Sequence, residues 1–188
     1  MPERVYAFSD GVFAIIITIM VLELKRPAAA TFEALFELWP TWLSYVVSYV
    51  FIAIVWVNHH FLLKHVKVAT LRLIWGNFAH LFSVSLIPFL TDWIAETRLG
   101  SVPVVMYAFV FLLVNATYFW LTRETLHGKE MREMSPRGKR LHHTRSFITL
   151  SLFGTAMIIA LWLPYVGFGL ICCCLVLYLR PELPEKIH

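Results

Sequence analysis

The stretch "RVYAFSDGVFAIIITIMVLELKRP", Arg4 to Pro27, sets the class of fold. From residue 5 to residue 24 it is an almost unbroken apolar run, and about 20 such residues cross the hydrocarbon core of a bilayer as a helix. The run is too long for the apolar region of a secretory leader, and it ends in Glu23, Lys25 and Arg26 instead of a small-residue cleavage site. This reads as a retained membrane span. Phe8-Ser9-Asp10 stands just inside its start, and a carboxylate facing lipid is costly enough to require a role.

The rest of the chain agrees with that beginning. Its 188 residues are 59% hydrophobic and 15% charged, with a mean hydropathy of +0.70, far from the composition of a water-soluble domain. Six segments qualify as spans, about residues 5–24, 39–62, 71–94, 102–121, 147–163 and 165–179. The expected fold is therefore an all-α integral membrane protein, residues 1–188 forming one six-helix transmembrane domain. The last two spans share one apolar run that Pro164 and Gly167 should break into a tight hairpin. Cys172 to Cys174 are consecutive, so on a helix they diverge, and neither a disulfide framework nor a metal clamp fits them.

Thirteen of the sixteen lysines and arginines fall at the N-terminus, in the second and fourth loops and in the tail; Lys25, Arg26 and Arg98 lie on the other side. The positive-inside rule then puts both termini and the basic segment 123–145 in the cytoplasm, with the protein in the cell membrane. That positive charge is a topology signal. The basic segment lacks interleaved aromatics and any binding module, so no nucleic-acid partner is expected, and contact with anionic lipid suits it better.

Each helical residue turns about 100°, so Arg4 and Asp10 lie on different faces and Asp10 needs a partner from another helix. The expected cytoplasmic ends of the next two spans offer Trp56, Asn58, His59 and His60 in "WVNHH" and Asn77 and His80 in "GNFAH". A carboxylate buried among these donors, with Ser9 beside it, would be satisfied by charge-assisted hydrogen bonds. On the same wheel Ile15, Thr18, Ile19 and Leu22 cluster within roughly 60° of one another's centre, and Asp10 lies roughly 140° from Ile15. Read from spacing alone, Ile15, Ile19 and Leu22 pack against other helices or lipid, and Gly11, Ala14 and Thr18 are small enough for close helix packing.

"RVYAFSD" fits an R-x-x-x-F-S-D signature, formed here by Arg4, Phe8, Ser9 and Asp10. With "SYVFIAIVWVNHH" and "GNFAHLFSVSLIPFLTDW", the chain resembles prokaryotic members of the transmembrane protein 175 family, potassium channels whose animal relatives sit in lysosomes. The resemblance covers the first three spans well; the last three match only in length, polarity and the basic loop. It implies a homotetramer around a central pore at the oligomer axis, conducting monovalent cations with modest preference for potassium over sodium. It also implies that the first helix lines the pore, with the main constriction at Ile15, further rings at Ile19 and Leu22, and Thr18 as a polar ring between them. Asp10 and Ser9 would then be scaffold, fixing the rotation of that helix. No cofactor is implied beyond permeant potassium ions.

Other chemistries fit less well. His59 and His60 point about 100° apart, which makes joint ligation of zinc or haem awkward, and no metal site is expected. A proton-coupled transporter using Asp10 and the nearby histidines is the alternative, although the chain shows no paired halves. No nucleophile motif, H-E-x-x-H pair or phosphate-binding glycine loop points to an enzyme.

Overall fold

The computed structural model describes residues 2–64, 66, 68–125 and 136–178, with side chains described at 3–64, 66, 68–125 and 148–176. Residues 126–135 of the basic segment and the tail from residue 179, both expected in the cytoplasm, fall outside the described residues.

Every described element is helical, as a backbone in hydrocarbon requires when it must satisfy its own polar groups. The order is α1 (Pro2–Leu22), a short α2 (Phe32–Phe36), α3 (Trp39–Leu63), α4 (Leu71–Ser85), α5 (Ile87–Glu96), α6 (Ser101–Thr125), α7 (Pro136–Ala160) and α8 (Pro164–Tyr178). Local chemistry sets several boundaries. Thr31 and Thr70 cap α2 and α4 by accepting from the Ala34 and Leu73 amides at 3.3 and 3.2 Å. Pro40 and Pro164 open α3 and α8, where a missing N–H costs nothing.

Four stretches are long and apolar enough to cross a membrane: Glu3–Leu22, Trp39–Leu63, Leu71–Glu96 and Ser101–Thr125. The apolar parts of the last two helices are shorter, Ile148–Ala160 and Pro164–Val176. The protein is thus an all-helical, multi-pass membrane protein with four long spans and a shorter helical pair.

Two expectations change in detail. The third span is not one helix: it breaks at Leu86, because Pro88 has no N–H to give the Val84 carbonyl and its ring crowds that turn. The hairpin between α7 and α8 turns at 161–163, and Gly167 sits inside α8 instead of in the turn. Its role is close approach: a Cβ added there would stand 2.6 Å from Ala160 Cβ and 2.9 Å from the Ala156 carbonyl oxygen.

In lipid, packing and interhelical hydrogen bonds hold helices together, since lipid tails are as apolar as leucine. α6 is the hub, packed on α4, α5, α7 and α8, while α1 leans on α3, α4 and α5. Phe111 of α6 stacks on Phe51 of α3 at 3.6 Å between ring centroids and meets Phe153 of α7 edge-on at 5.5 Å. Nearby, Ser48 Oγ lies 2.6 Å from both Thr91 Oγ1 and Tyr107 Oη, a buried hydroxyl cluster joining α3, α5 and α6.

The α5–α6 corner is tightly wound. Arg98 and Leu99 take φ of 49° and 63°, in the left-handed region that costs ordinary residues about 1–2 kcal/mol each. Burial of the Leu99 side chain and its amide's 3.0 Å bond to the Ile94 carbonyl offset that cost. The same corner gathers distant segments, with Lys25 paired to Glu96 and Tyr165 Oη donating to the Arg98 carbonyl at 3.3 Å.

Candidate functional site

α1 has two sides of opposite character. Ser9, Phe13, Ile16 and Met20 recur at helical spacing and are 0 to 4% exposed, the seam that docks α1 on the bundle. Gly11, Ile15, Thr18, Ile19 and Leu22 share the outward side, with Ile15 at 58% and Leu22 at 81% exposure. Thr18 Oγ1 donates back to its own helix, to the Ile15 carbonyl at 2.8 Å and the Ala14 carbonyl at 3.1 Å. Its single proton is thereby engaged, and its oxygen lone pairs face outward. Ile15 and Ile19 also line a groove of about 460 Å³ whose far wall is Ser85, Pro88 and Phe89 at the α4–α5 break, with Glu23 and Asp92 at one end.

The inward side is anchored by a polar chain. Ser9 Oγ donates to the Val5 carbonyl at 2.8 Å and accepts from Asn77 Nδ2 at 3.0 Å. Asn77 Oδ1 accepts from His59 Nε2 at 2.7 Å, since an amide oxygen can only accept. The His59 ring lies parallel to His80, 9° between planes and 5.6 Å between centroids, and packs against Phe13 at 5.4 Å. His80 Nδ1 reaches Thr117 Oγ1 of α6 at 3.2 Å. Four helices are therefore tied through one buried network.

Asp10 is not in it. Contrary to expectation, the carboxylate is exposed and takes one described hydrogen bond, from the Trp56 indole at 2.9 Å. With Ser9 turned fully inward, the next residue is rotated about 100° out of the seam, where its charge keeps its hydration. His60 is half-buried and stacks on Trp56 at 5.4 Å, so it belongs to this outer pair. Asn58 is buried but separate, lining a small cavity with His80 and Asn115. Phe8 packs edge-on to Phe78 at 5.5 Å, and Arg4 is exposed. Tyr6 Oη donates to the Leu63 carbonyl and fastens the start of α1 to the end of α3.

Sequence reasoning did not single out Thr117 and Asn115 of α6, or Ser83 of α4, which complete the polar interior. An asparagine and a threonine two residues apart inside the apolar "FLLVNATYF" were the available signal. His59 points into the bundle and His60 does not, and among the described residues no group of three or more His, Cys, Asp or Glu side chains is placed to hold a metal ion. Beyond the end of α1, the Glu96 carboxylate bonded to Lys25 raises that ammonium's pKa, with smaller contributions of the same sign from Asp92 and Glu23.

The chain's relatives agree with this layout. A family model described as the endosomal/lysosomal potassium channel TMEM175 matches residues 4–88, which contain the anchor and the outward stripe. A protein named as a potassium channel from Chryseobacterium sp. is 32% identical over 180 residues, covering 95% of this chain and 93% of its own. Another so named, from Streptomyces collinus, is 33% identical over 147 residues, 72% of this chain and 71% of that one. The crystal structure of a lysosomal potassium-selective channel TMEM175 homolog from Chamaesiphon minutus superposes with a TM-score of 0.80 at 25% identity, over 95% of this chain and 96% of that one. This is a family of channels, not of enzymes. With the fold, the anchor signature and near full-length relatives in agreement, the chain belongs to the TMEM175 family.

Proposed function

We propose that the protein is a potassium-permeable cation channel of the cell membrane, in which copies of the single domain 1–188 assemble as a homotetramer with α1 of each lining a central path. Both termini face the cytoplasm, and the shorter pair α7–α8 completes six crossings. The observation that carries the reading is the division of α1: a seam buried from Ser9 to Met20 against an uninterrupted outward stripe from Ile15 to Leu22. A helix that only filled space would not need the Ser9–Asn77–His59 chain to fix its rotation.

Ile15 forms the narrowest ring, with Ile19 and Leu22 beyond it. Apolar rings of this kind block ions by dewetting and open when the helices move slightly apart. Thr18 supplies the oxygen atoms. Its hydroxyl proton is held by its own helix, so a ring of Thr18 presents lone pairs to a partly dehydrated cation. One oxygen per subunit replaces only part of a hydration shell, which gives a modest preference for potassium over sodium. Glu23 raises the local cation concentration at the end of the stripe.

A proton relay from Asp10 to the histidines lacks its first contact, because Asp10 bonds Trp56 while His59 bonds Asn77. The test is cation flux into liposomes carrying the purified protein under potassium, caesium and sodium gradients, repeated with Ile15→Asn. Potassium-favouring flux that rises with the polar substitution supports the reading. Saturable flux driven only by a proton gradient, and indifferent to Ile15, overturns it.

A further inference from the structure

Between α3, α4 and α6 the protein encloses a cavity of about 10 Å³. Phe51, Val55 and Val114 make its apolar wall; Asn58, His80 and Asn115 make the polar one. A space of roughly 10–15 Å³ holds one water molecule when polar groups surround it. His80 is fully buried, and its Nε2 has no hydrogen-bond partner among the described residues.

The tautomer follows from its neighbour. Thr117 Oγ1, 3.2 Å from His80 Nδ1, has one proton and donates it to its own helix, where its oxygen lies 2.8 Å from the Leu113 carbonyl oxygen and 3.0 Å from that of Val114. The threonine oxygen must then accept, so Nδ1 carries the ring proton and Nε2 presents a lone pair. Such an acceptor, buried at the level of a membrane span, needs a donor.

We propose that this cavity is a binding site for a single water molecule, which donates one hydrogen to His80 Nε2 and is held on its other side by the carboxamides of Asn58 and Asn115. Both asparagines are buried, at 6% and 8% exposure. Asn115 Nδ2 donates to the Phe111 carbonyl at 2.8 Å, which fixes that carboxamide in the cavity wall. Three partners are typical of a buried water, and a bridge of this kind is enthalpically close to a direct hydrogen bond. The water joins α3, α4 and α6 at His80, and it holds the tilt of the ring against which His59 stacks. It therefore hydrates the end of the polar chain that anchors α1. Nothing in this assignment depends on which ions the protein passes.

Nitrogen-15 histidine NMR of the wild-type protein in lipid nanodiscs, together with a map that resolves ordered water, tests the site. The expected result is an Nδ1-protonated His80 whose Nε2 is hydrogen-bonded and correlates with exchangeable water protons, and a density peak about 2.7–3.2 Å from Nε2. An Nε2 without water correlation, or one that is protonated and bonded to a protein carbonyl, overturns the proposal. Val55→Leu adds a methylene group to the cavity wall; loss of the water correlation with the His59–Asn77 bond retained is expected. Persistence of that signal in the filled variant would place the water elsewhere and refute the site.

Discussion

Replacing Asn77 with alanine should loosen α1 more than any change on α1's own seam of equal size. Asn77 Oδ1 is the acceptor for His59 Nε2 at 2.7 Å, and its amide donates to Ser9 Oγ at 3.0 Å. Alanine strands a buried imidazole N–H, worth about 1–3 kcal/mol. It also removes an interhelical bond of the kind worth roughly 0.6–1.7 kcal/mol in a membrane. The combined loss of about 2–4 kcal/mol is roughly 30- to 700-fold in the docking equilibrium. Ser9→Ala should cost only about 1 kcal/mol, since the serine hydroxyl proton is already engaged by the Val5 carbonyl. A double-mutant cycle sharpens the case. His59→Phe alone strands Asn77 Oδ1, but the double variant strands neither partner, so its cost should fall short of the sum by about 1–2 kcal/mol. Unfolding in mixed micelles, followed by far-UV circular dichroism, gives the free energies, and hydrogen exchange along α1 shows where they act. Costs that add to within about 0.5 kcal/mol would refute the claim that His59 and Asn77 act as one unit.

Thr18→Ala should reduce potassium-over-sodium discrimination in liposome flux and Thr18→Ser should largely retain it; equal permeability ratios in all three proteins would remove the hydroxyl from the mechanism. Gly167→Ala forces α8 away from the Ala156 carbonyl and Ala160, at a cost of about 1–3 kcal/mol read as a lowered thermal midpoint; an unchanged midpoint would show that the hairpin yields freely. The Lys25–Glu96 pair raises the lysine pKa, so its contribution to stability is fully present below the ordinary lysine value of 10.5 and is lost as pH rises through the higher folded value. Thermal unfolding from pH 8 to about pH 12 should therefore converge for wild type and Lys25→Met, and a gap that persists at the alkaline end counts against that pair.

The membrane class and the long spans were legible from sequence because they rest on hydropathy alone, and the two-sided first helix because it rests on helical spacing. Ile15, Thr18, Ile19 and Leu22 share a face in any α-helix, and the structure leaves that face outward. Partnerships were less legible. Ser9 and Asp10 are adjacent, and which of the two enters the bundle depends on a rotation that only the docked neighbours set; the neutral hydroxyl went in and the charge stayed out. The break at Leu86 was readable in principle from Pro88, yet hydropathy runs straight through it. Thr117 and Asn115 escaped notice because a lone polar residue in an apolar helix does not announce whether it faces lipid or a histidine on another helix.

The two ends of the Asp10–Trp56 bond lie 46 residues apart in the chain, with α1 the earlier. At roughly 5–20 residues per second of synthesis, Trp56 follows Asp10 by about 2–9 s, and Asn77 follows later still. Throughout that interval Ser9, Phe13, Ile16 and Met20 have nothing of their own chain to dock on. The helix made before its partners is thus fixed after them.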